Sequence, residues 1–116
     1  MDEKTKYGII ELRDGLTIGI IEAKYPWLLK AQIESAIVGE HNNYLVWYNG
    51  VWKKGAWLGG YWRKGIWHSG DWICGIWASG YWMGGYWHGG YWFSGDDKND
   101  DHHIKPPNKW FERYGE

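Results

Sequence analysis

The chain contains little of several features that small proteins often depend on. It has one cysteine, three prolines and two phenylalanines among its 116 residues. A lone cysteine, Cys74, excludes an intrachain disulfide and a cysteine-rich metal site. The formal net charge is only −1, so we expect no global attraction to nucleic acid. No apolar run approaches the length needed to cross a bilayer, and no membrane partner is expected.

The first residues, MDEKTKYG, also lack the basic-then-apolar profile of a secretory signal. We therefore expect a protein that is made in the cytoplasm and either stays there or leaves as part of an assembly.

Tryptophan and glycine are abundant instead, and they recur with a strict period. Ten consecutive five-residue units run from residue 46 to residue 95, beginning VWYNG and ending YWFSG. The second residue of every unit is Trp: Trp47, Trp52, Trp57, Trp62, Trp67, Trp72, Trp77, Trp82, Trp87 and Trp92. The last residue of every unit is Gly: Gly50, Gly55, Gly60, Gly65, Gly70, Gly75, Gly80, Gly85, Gly90 and Gly95. Such a period indicates one structural unit stacked many times.

The five-residue spacing restricts which secondary structure the array can adopt. Trp residues five apart would spiral around a helix, and each internal glycine would weaken that helix by roughly 1 kcal/mol. In a straight strand, an odd spacing would send successive Trp side chains to opposite faces. Both conflicts disappear if the chain turns a corner at each Gly, so that every Trp points inward. The sequence therefore predicts an all-β fold, a short β-solenoid with a Trp core and Gly corners.

The array resembles the pentapeptide-repeat proteins, whose units have a large apolar residue at the centre and a small residue two places earlier. The segment Gly60-Tyr61-Trp62 shows this arrangement, with Gly and Trp where the family usually has Ala and then Leu or Phe. Residues 31–35 and 36–40 follow the ordinary family pattern, with Ala before Ile and Ala before Val. These two units and the Trp array are out of phase by one residue. A bulge or loop at Asn42-Asn43 would accommodate this difference in register.

The resemblance implies a quadrilateral coil of about four pentads per turn. Three pentads per turn, or a flattened two-sided coil, would fit the sequence equally well. Four per turn would place His68 in line with His88 and Tyr61 in line with Tyr81.

We divide the chain into four regions. Residues 1–26 form an N-terminal cap, residues 27–45 a transition with two ordinary pentapeptide units, residues 46–95 the solenoid, and residues 96–116 an acidic linker with an aromatic tail. The cap is predicted to be a β-hairpin over residues 7–25, because Asp14-Gly15 between apolar runs is a strong turn signal. Residues 27–38 also match a short amphipathic helix, which remains an alternative to the solenoid interpretation.

Aromatic residues outside the predicted core are the candidate contact sites. Tyr61, Tyr81, Tyr86 and Tyr91 precede Trp in their units and should point outward as one row. In the tail, Trp110, Phe111 and Tyr114 could form one face of a helical turn. The tail either folds back on its own solenoid or reaches a neighbouring subunit.

Catalytic and cofactor-binding patterns are absent from the sequence. Asp97, Asn99 and Asp101 have the alternate spacing of a calcium loop, but His102 stands where that loop needs Gly. The serines have no identifiable acid–base partners, and the regular glycine spacing is simply the repeat. We therefore expect no enzyme activity, no cofactor and no metal.

Dense x-Trp-x-x-Gly arrays resemble those of bacteriophage virion proteins. The resemblance implies a rigid decoration, tail or fibre subunit that contacts copies of itself or other structural proteins. The alternative is a module that binds surface glycans through its outward Tyr and Trp faces. A DNA-mimic role, known among pentapeptide-repeat proteins, fits poorly because the array is net basic, with Lys53, Lys54, Arg63 and Lys64 against Asp71.

Overall fold

The computed structural model describes residues 3–97, most of which form a β-solenoid of about three turns. The N-terminal elements are helix α1 Glu3–Lys6, strand β1 Ile9–Leu12, helices α2 Ile18–Lys24 and α3 Pro26–Lys30, and strands β2 Gln32–His41 and β3 Tyr44–Lys54. Nine two-residue strands follow: β4 Ala56–Trp57, β5 Tyr61–Trp62, β6 Ile66–Trp67, β7 Asp71–Trp72, β8 Ile76–Trp77, β9 Tyr81–Trp82, β10 Tyr86–Trp87, β11 Tyr91–Trp92 and β12 Asp96–Asp97. The predicted β-solenoid class is therefore confirmed.

Each coil of the solenoid contains three pentads, so the predicted four-pentad coil is wrong. Parallel pairing joins Trp47 to Trp62, Trp52 to Trp67 and Trp57 to Trp72, always fifteen residues apart. We name the three sides by their tryptophans. Face A contains Trp47, Trp62, Trp77 and Trp92; face B contains Trp52, Trp67 and Trp82; face C contains Trp57, Trp72 and Trp87.

The reason for three sides lies in the packing of the indole rings. In the first coil, Trp47, Trp52 and Trp57 all contact one another edge to face, at centroid separations of 5.8, 5.8 and 6.4 Å. Three rings in mutual contact fill a triangular interior, whereas four sides would keep opposite rings apart and leave a gap at the centre.

Successive coils stack these rings into three columns. Along each column the ring centroids lie 4.7 to 5.1 Å apart, with interplanar angles of 5 to 8°. Trp residues of consecutive pentads meet edge to face at 5.7 to 5.9 Å. Both arrangements are favoured by the ring quadrupole, so the core gains ring–ring attraction in addition to hydrophobic burial.

The corner glycines are required by the backbone and by the coil below. Gly70 has a φ of +119°, which side-chain-bearing residues rarely adopt. A Cβ atom at Gly70 would overlap the carbonyl oxygen of Gly55 in the preceding coil. The same carbonyl accepts a 3.1 Å hydrogen bond from the amide of Asp71. The two coils therefore cannot move apart without breaking the backbone hydrogen bonds that join them.

The N-terminal end of the solenoid is closed by a composite cap. Strand β2 pairs antiparallel with β3, placing Val38 opposite Trp47 on face A and Ile33 opposite Trp52 on face B. Face C is covered by α3 instead, where Trp27 meets Trp57 edge to face at 5.2 Å. Strand β1 then pairs parallel with β2 and adds a further layer.

The hairpin predicted over residues 7–25 does not form. The turn itself is present, since Asp14 and Gly15 have φ of 61° and 78°. The chain beyond it forms α2, because the Thr17 hydroxyl accepts a 3.1 Å hydrogen bond from the Ile20 amide and caps the helix. Ile18 and Ile21, three residues apart, then bury on one helical face.

The transition segment is divided between the two structures that we considered for it. Residues 26–30 form α3, whereas the two pentapeptide units predicted at 31–40 form β2 and no coil. Ile33 and Val38, the central residues of those units, are buried, but their strand runs antiparallel to the array. The loop expected at Asn42-Asn43 is a two-residue hairpin turn in which both residues have positive φ.

Candidate functional site

A groove of about 970 Å³ runs along face A and the adjoining corner of face C, and we call it the face A groove. Six aromatic side chains line it: Tyr25, Trp27, Tyr44, Tyr48, Tyr61 and Tyr91. Polar side chains are interspersed, including Asn42, Asn43 and Arg63. The groove thus combines apolar ring surface with a small number of polar groups, as ligand sites commonly do.

The floor of the groove is built by the repeat. Tyr61, Ile76 and Tyr91 are the first residues of three pentads of face A, and parallel pairing places them directly above one another. Because side chains alternate along a strand, each points outward when the following Trp points inward. Tyr61 and Tyr91 remain 37% and 39% exposed.

The N-terminal wall of the groove is the tip of the β2–β3 hairpin. Tyr44 follows the Asn42-Asn43 turn and is 67% exposed, more than any other large apolar side chain in the described part of the chain. Its ring and hydroxyl contact no other described side chain closely enough for a ring pair or a hydrogen bond. An exposed aromatic ring of this kind is a candidate contact residue.

Tyr25 is held in place beside this wall by a polar network. Its hydroxyl lies 2.6 Å from Glu40 Oε2 and 3.1 Å from the Asn43 carbonyl oxygen. Lys24 donates hydrogen bonds to Glu40 Oε2 at 2.5 Å and to Asn43 Oδ1 at 3.2 Å. Burial and the hydrogen bond to Glu40 raise the pKa of Tyr25, while the hydrogen bonds from Lys24 and Tyr25 lower the pKa of Glu40. The network fixes the ring of Tyr25 and the shape of the turn.

Tyr48 lies where the groove meets a group of basic side chains. The guanidinium groups of Arg13 and Arg63 lie 4.8 and 5.8 Å from its ring centroid. Its hydroxyl donates a 2.7 Å hydrogen bond to Asp14 Oδ2, which raises the pKa of Tyr48. Two cations and one carboxylate therefore hold this ring in a single orientation.

A second hollow of about 320 Å³ adjoins the groove at Tyr48 and Arg63, and we call it the basic hollow. Arg13, Arg63 and Lys64 line it together with Tyr48, Asn49 and Ile37. Arg13 Nε is already paired with Glu11 Oε2 at 2.7 Å. Arg63 and Lys64 form no ion pair with any carboxylate of the described chain. The hollow therefore offers positive charge to an incoming anion.

The structure distributes the predicted site residues over several surfaces. All ten array Trp residues are buried, and all ten corner Gly residues have positive φ. The single outward Tyr row does not exist, because three pentads per coil place Tyr61 and Tyr91 on face A, Tyr81 on face B and Tyr86 on face C. Trp110, Phe111 and Tyr114 lie outside the described residues.

The alignment of His68 with His88 is also absent, for the same reason. His68 follows Trp67 on face B, whereas His88 follows Trp87 on face C. His88 Nε2 lies 3.1 Å from Asp71 Oδ1 instead.

Sequence reasoning did not find Tyr25, Tyr44 and Tyr48 as groove residues. Tyr44 and Tyr48 lie next to the first Trp of the array, but only the coil geometry shows that they share a surface with residues two coils away. No local pattern could have connected Tyr25, at the end of α2, with Tyr91.

Across residues 3–97, no three His, Cys, Asp or Glu side chains lie close enough together to hold a metal ion. Cys74 is an exposed thiol at the edge of the face A groove. The acidic linker considered as a calcium loop lies almost entirely outside the described residues. What the arrangement offers is ring stacking, hydrogen bonding and charge pairing.

Comparison with known protein families, with characterised proteins and with solved structures finds no match for this chain. The resemblance to pentapeptide-repeat proteins therefore depends on the sequence pattern alone, and the three-sided coil departs from it. In the described part of the chain, no helix has both the length and the apolar character needed to span a bilayer.

Proposed function

We propose that this chain is a non-enzymatic structural protein that acts as a rigid, self-associating rod. The observation that carries the proposal is the exposure of large apolar side chains on all three faces of a solenoid whose core is already filled. Ten such side chains are exposed in the described chain, and nine of them lie between Tyr44 and Phe93. Extended apolar exposure of this kind is typical of a surface that is covered by a partner.

Stiffness is the second support for the proposal. Every array Trp has ring contacts within its own coil and with an adjacent coil, and the backbone ladder joins coils at each pentad. An interior packed at this density deforms little, so the distances between surface side chains are fixed. Fixed spacing favours multivalent contacts between copies, because simultaneous contacts then add without ordering costs.

The closed N-terminal end favours lateral over end-to-end association. Strands β1 and β2 and helix α3 cover the first coil, so that end presents no open Trp column to a second copy. We propose lateral contacts instead, through Tyr81 and Met83 on face B and Ile73 and Tyr86 on face C. These four side chains are 38 to 49% exposed.

The assembly we propose is a virion, with the chain as a decoration, tail or fibre subunit. The support is the resemblance of the x-Trp-x-x-Gly array to virion-associated sequences of bacteriophages. Other structural proteins of the same assembly are then natural partners, together with copies of this chain.

Sedimentation velocity across a concentration range tests self-association. We expect oligomers whose fraction rises with concentration, and a double Tyr81→Ser, Met83→Ser variant should weaken the association constant by about tenfold or more. Tyr44→Ser, which removes an exposed aromatic ring outside faces B and C, is the matched control and should leave association unchanged.

A variant that ends at Asp97 keeps the whole described fold, including β12, and separates the array from the tail. Weaker association of this variant would identify the tail as a further contact. A compact monomer at every concentration, for the full chain and its variants alike, would contradict self-assembly.

A second candidate function is glycan binding, which the face A groove specifically favours.

A further inference from the structure

We infer that the face A groove and the basic hollow together bind an acidic glycan, a chain of pyranose rings that carry carboxylate or sulfate groups. This inference is independent of the proposed assembly, which uses side chains of faces B and C. It combines Tyr61 and Tyr91 of the predicted Tyr row with Tyr44, Tyr48 and Arg63, which that row does not contain.

The first argument is the presentation of aromatic rings. Sugar rings have apolar C–H faces that pack on aromatic rings and hydroxyl edges that need hydrogen-bond partners. In the groove, Tyr44 and Tyr61 expose ring surface, while Asn42 and Asn43 lie on the adjacent wall. Asn43 Oδ1 already accepts a hydrogen bond from Lys24, but a purely apolar peptide would leave the Asn42 amide without a partner.

The second argument is spacing. Tyr61 and Tyr91 lie two coils apart on one face, and the Trp rings behind them are separated by 4.9 and 4.8 Å per coil. The two tyrosines are therefore about 10 Å apart along the axis. An extended ligand of repeating rings can stack on both at once, with the Ile76 side chain between them.

The third argument is preorganisation. Tyr48 is fixed by Arg13, Arg63 and Asp14, and Tyr25 is fixed by Glu40 and the Asn43 carbonyl. Walls that are already ordered lose little side-chain entropy when a ligand arrives. The hairpin turn that carries Asn42 and Asn43 is tied to α2 by Lys24 in the same way.

The fourth argument is charge, and it selects an acidic glycan over a neutral one. Arg63 belongs to both the groove and the basic hollow, so a ligand in the groove passes beside the hollow. Arg63 and Lys64 have no carboxylate partner among residues 3–97, so an anionic group on the ligand can pair with both.

Isothermal titration of the full chain with a hexamer of galacturonic acid tests the inference. The methyl-esterified hexamer is the neutral control, and a single-stranded DNA hexamer tests the competing polyanion. We expect the acid hexamer to bind at least about tenfold more tightly than either control, with an affinity that falls as salt is added.

Matched variants separate ring stacking from charge. Tyr61→Ala should weaken both sugar hexamers by about tenfold, Tyr61→Phe should retain most of the affinity, and Tyr81→Ala, at the same pentad position on face B, should have no effect. Lys64→Gln should weaken only the acid hexamer, whereas Lys54→Gln, at the equivalent position on face B, should not.

The inference is overturned if the acid hexamer shows no heat of binding at millimolar concentration. It is also overturned if DNA binds more tightly than the sugar, or if the face A and face B variants lose affinity equally. None of these results depends on oligomeric state, which sedimentation of the same samples measures separately.

Discussion

The N-terminal cap and the Trp array bury their apolar side chains in different ways. In the cap, the buried side chains are aliphatic, such as Ile9, Ile21 and Leu28, and each occupies a distinct environment made by a helix or a strand. In the array, one ring type occupies one environment repeatedly, held by ring stacking and by a ladder that joins every pentad to the next coil. The varied contacts of the cap close one end of the solenoid, whereas the repeated contacts of the array allow one coil to follow another.

The two regions also use glycine differently. In the cap, Gly8 and Gly15 serve single turns, while Gly39 adjoins the Asp14 carboxylate and the Tyr48 ring. In the array, a Cβ at any corner from Gly65 to Gly95 would overlap the carbonyl oxygen of the glycine fifteen residues earlier. A change at one array position therefore disturbs an interaction that recurs along the rod, while a change in the cap acts locally.

The largest expected effect comes from removing a central ring. Trp67 stacks on Trp52 at 5.0 Å and on Trp82 at 5.1 Å, so Trp67→Ala opens a cavity between two coils. We expect the free energy of unfolding to fall by about 4 kcal/mol, measured by urea denaturation followed by circular dichroism.

Trp87→Ala is the matched comparison, because among the described residues Trp87 stacks on Trp72 alone, and it is already 7% exposed. We expect Trp87→Ala to lower the free energy of unfolding by about half as much as Trp67→Ala does. Equal losses at the two positions would show that column position does not matter and that the array behaves as an ordinary core.

A smaller effect is expected from substituting a corner. Gly70→Ala combines a φ of +119° with a Cβ that would overlap the Gly55 carbonyl oxygen, and we expect a loss on the order of 3 kcal/mol.

Gly59→Ala lies one residue before a corner, and its added Cβ meets no atom within 4 Å. Without a positive φ or a steric conflict, this variant should be neutral or more stable by up to about 1 kcal/mol. Thermal unfolding of both variants gives the comparison, and a stable Gly70→Ala protein would contradict the close approach of the coils.

The smallest expected effect lies in the polar network of the cap. Native contacts with Lys24 and Tyr25 lower the pKa of Glu40, so their stabilisation is complete above the ordinary pKa of a glutamate. It is lost as the pH falls through the lowered native pKa. We therefore expect the urea midpoint of the natural chain to fall on acidification more than that of Glu40→Gln.

Glu40 pairs with Lys24 beside the β2–β3 turn, so the acid response through this group should begin in the cap. Hydrogen exchange can locate it, because amides of the Asn42-Asn43 turn should lose protection before those of the central coils. Simultaneous loss in both regions would show that the cap and the array unfold as one unit.

The repeating unit follows from the sequence alone. A five-residue period with obligatory Trp and Gly excludes helix and straight strand, and it requires corners with every Trp on the inside. These are local consequences of backbone geometry, which is why the β-solenoid and its inward Trp residues could be predicted without any long-range information.

How the units close into a coil depends on contacts that form only in the folded chain. The number of sides depends on how three indole rings meet across the axis, which no single pentad encodes. The same closure decides that Tyr61 shares a face with Tyr91 and not with Tyr81, and that Tyr25 and Arg63 border one groove. The helical part of the cap could not be predicted from the sequence either. The Asp14-Gly15 turn forms, but Thr17 then caps a helix where the turn signal favours a second strand.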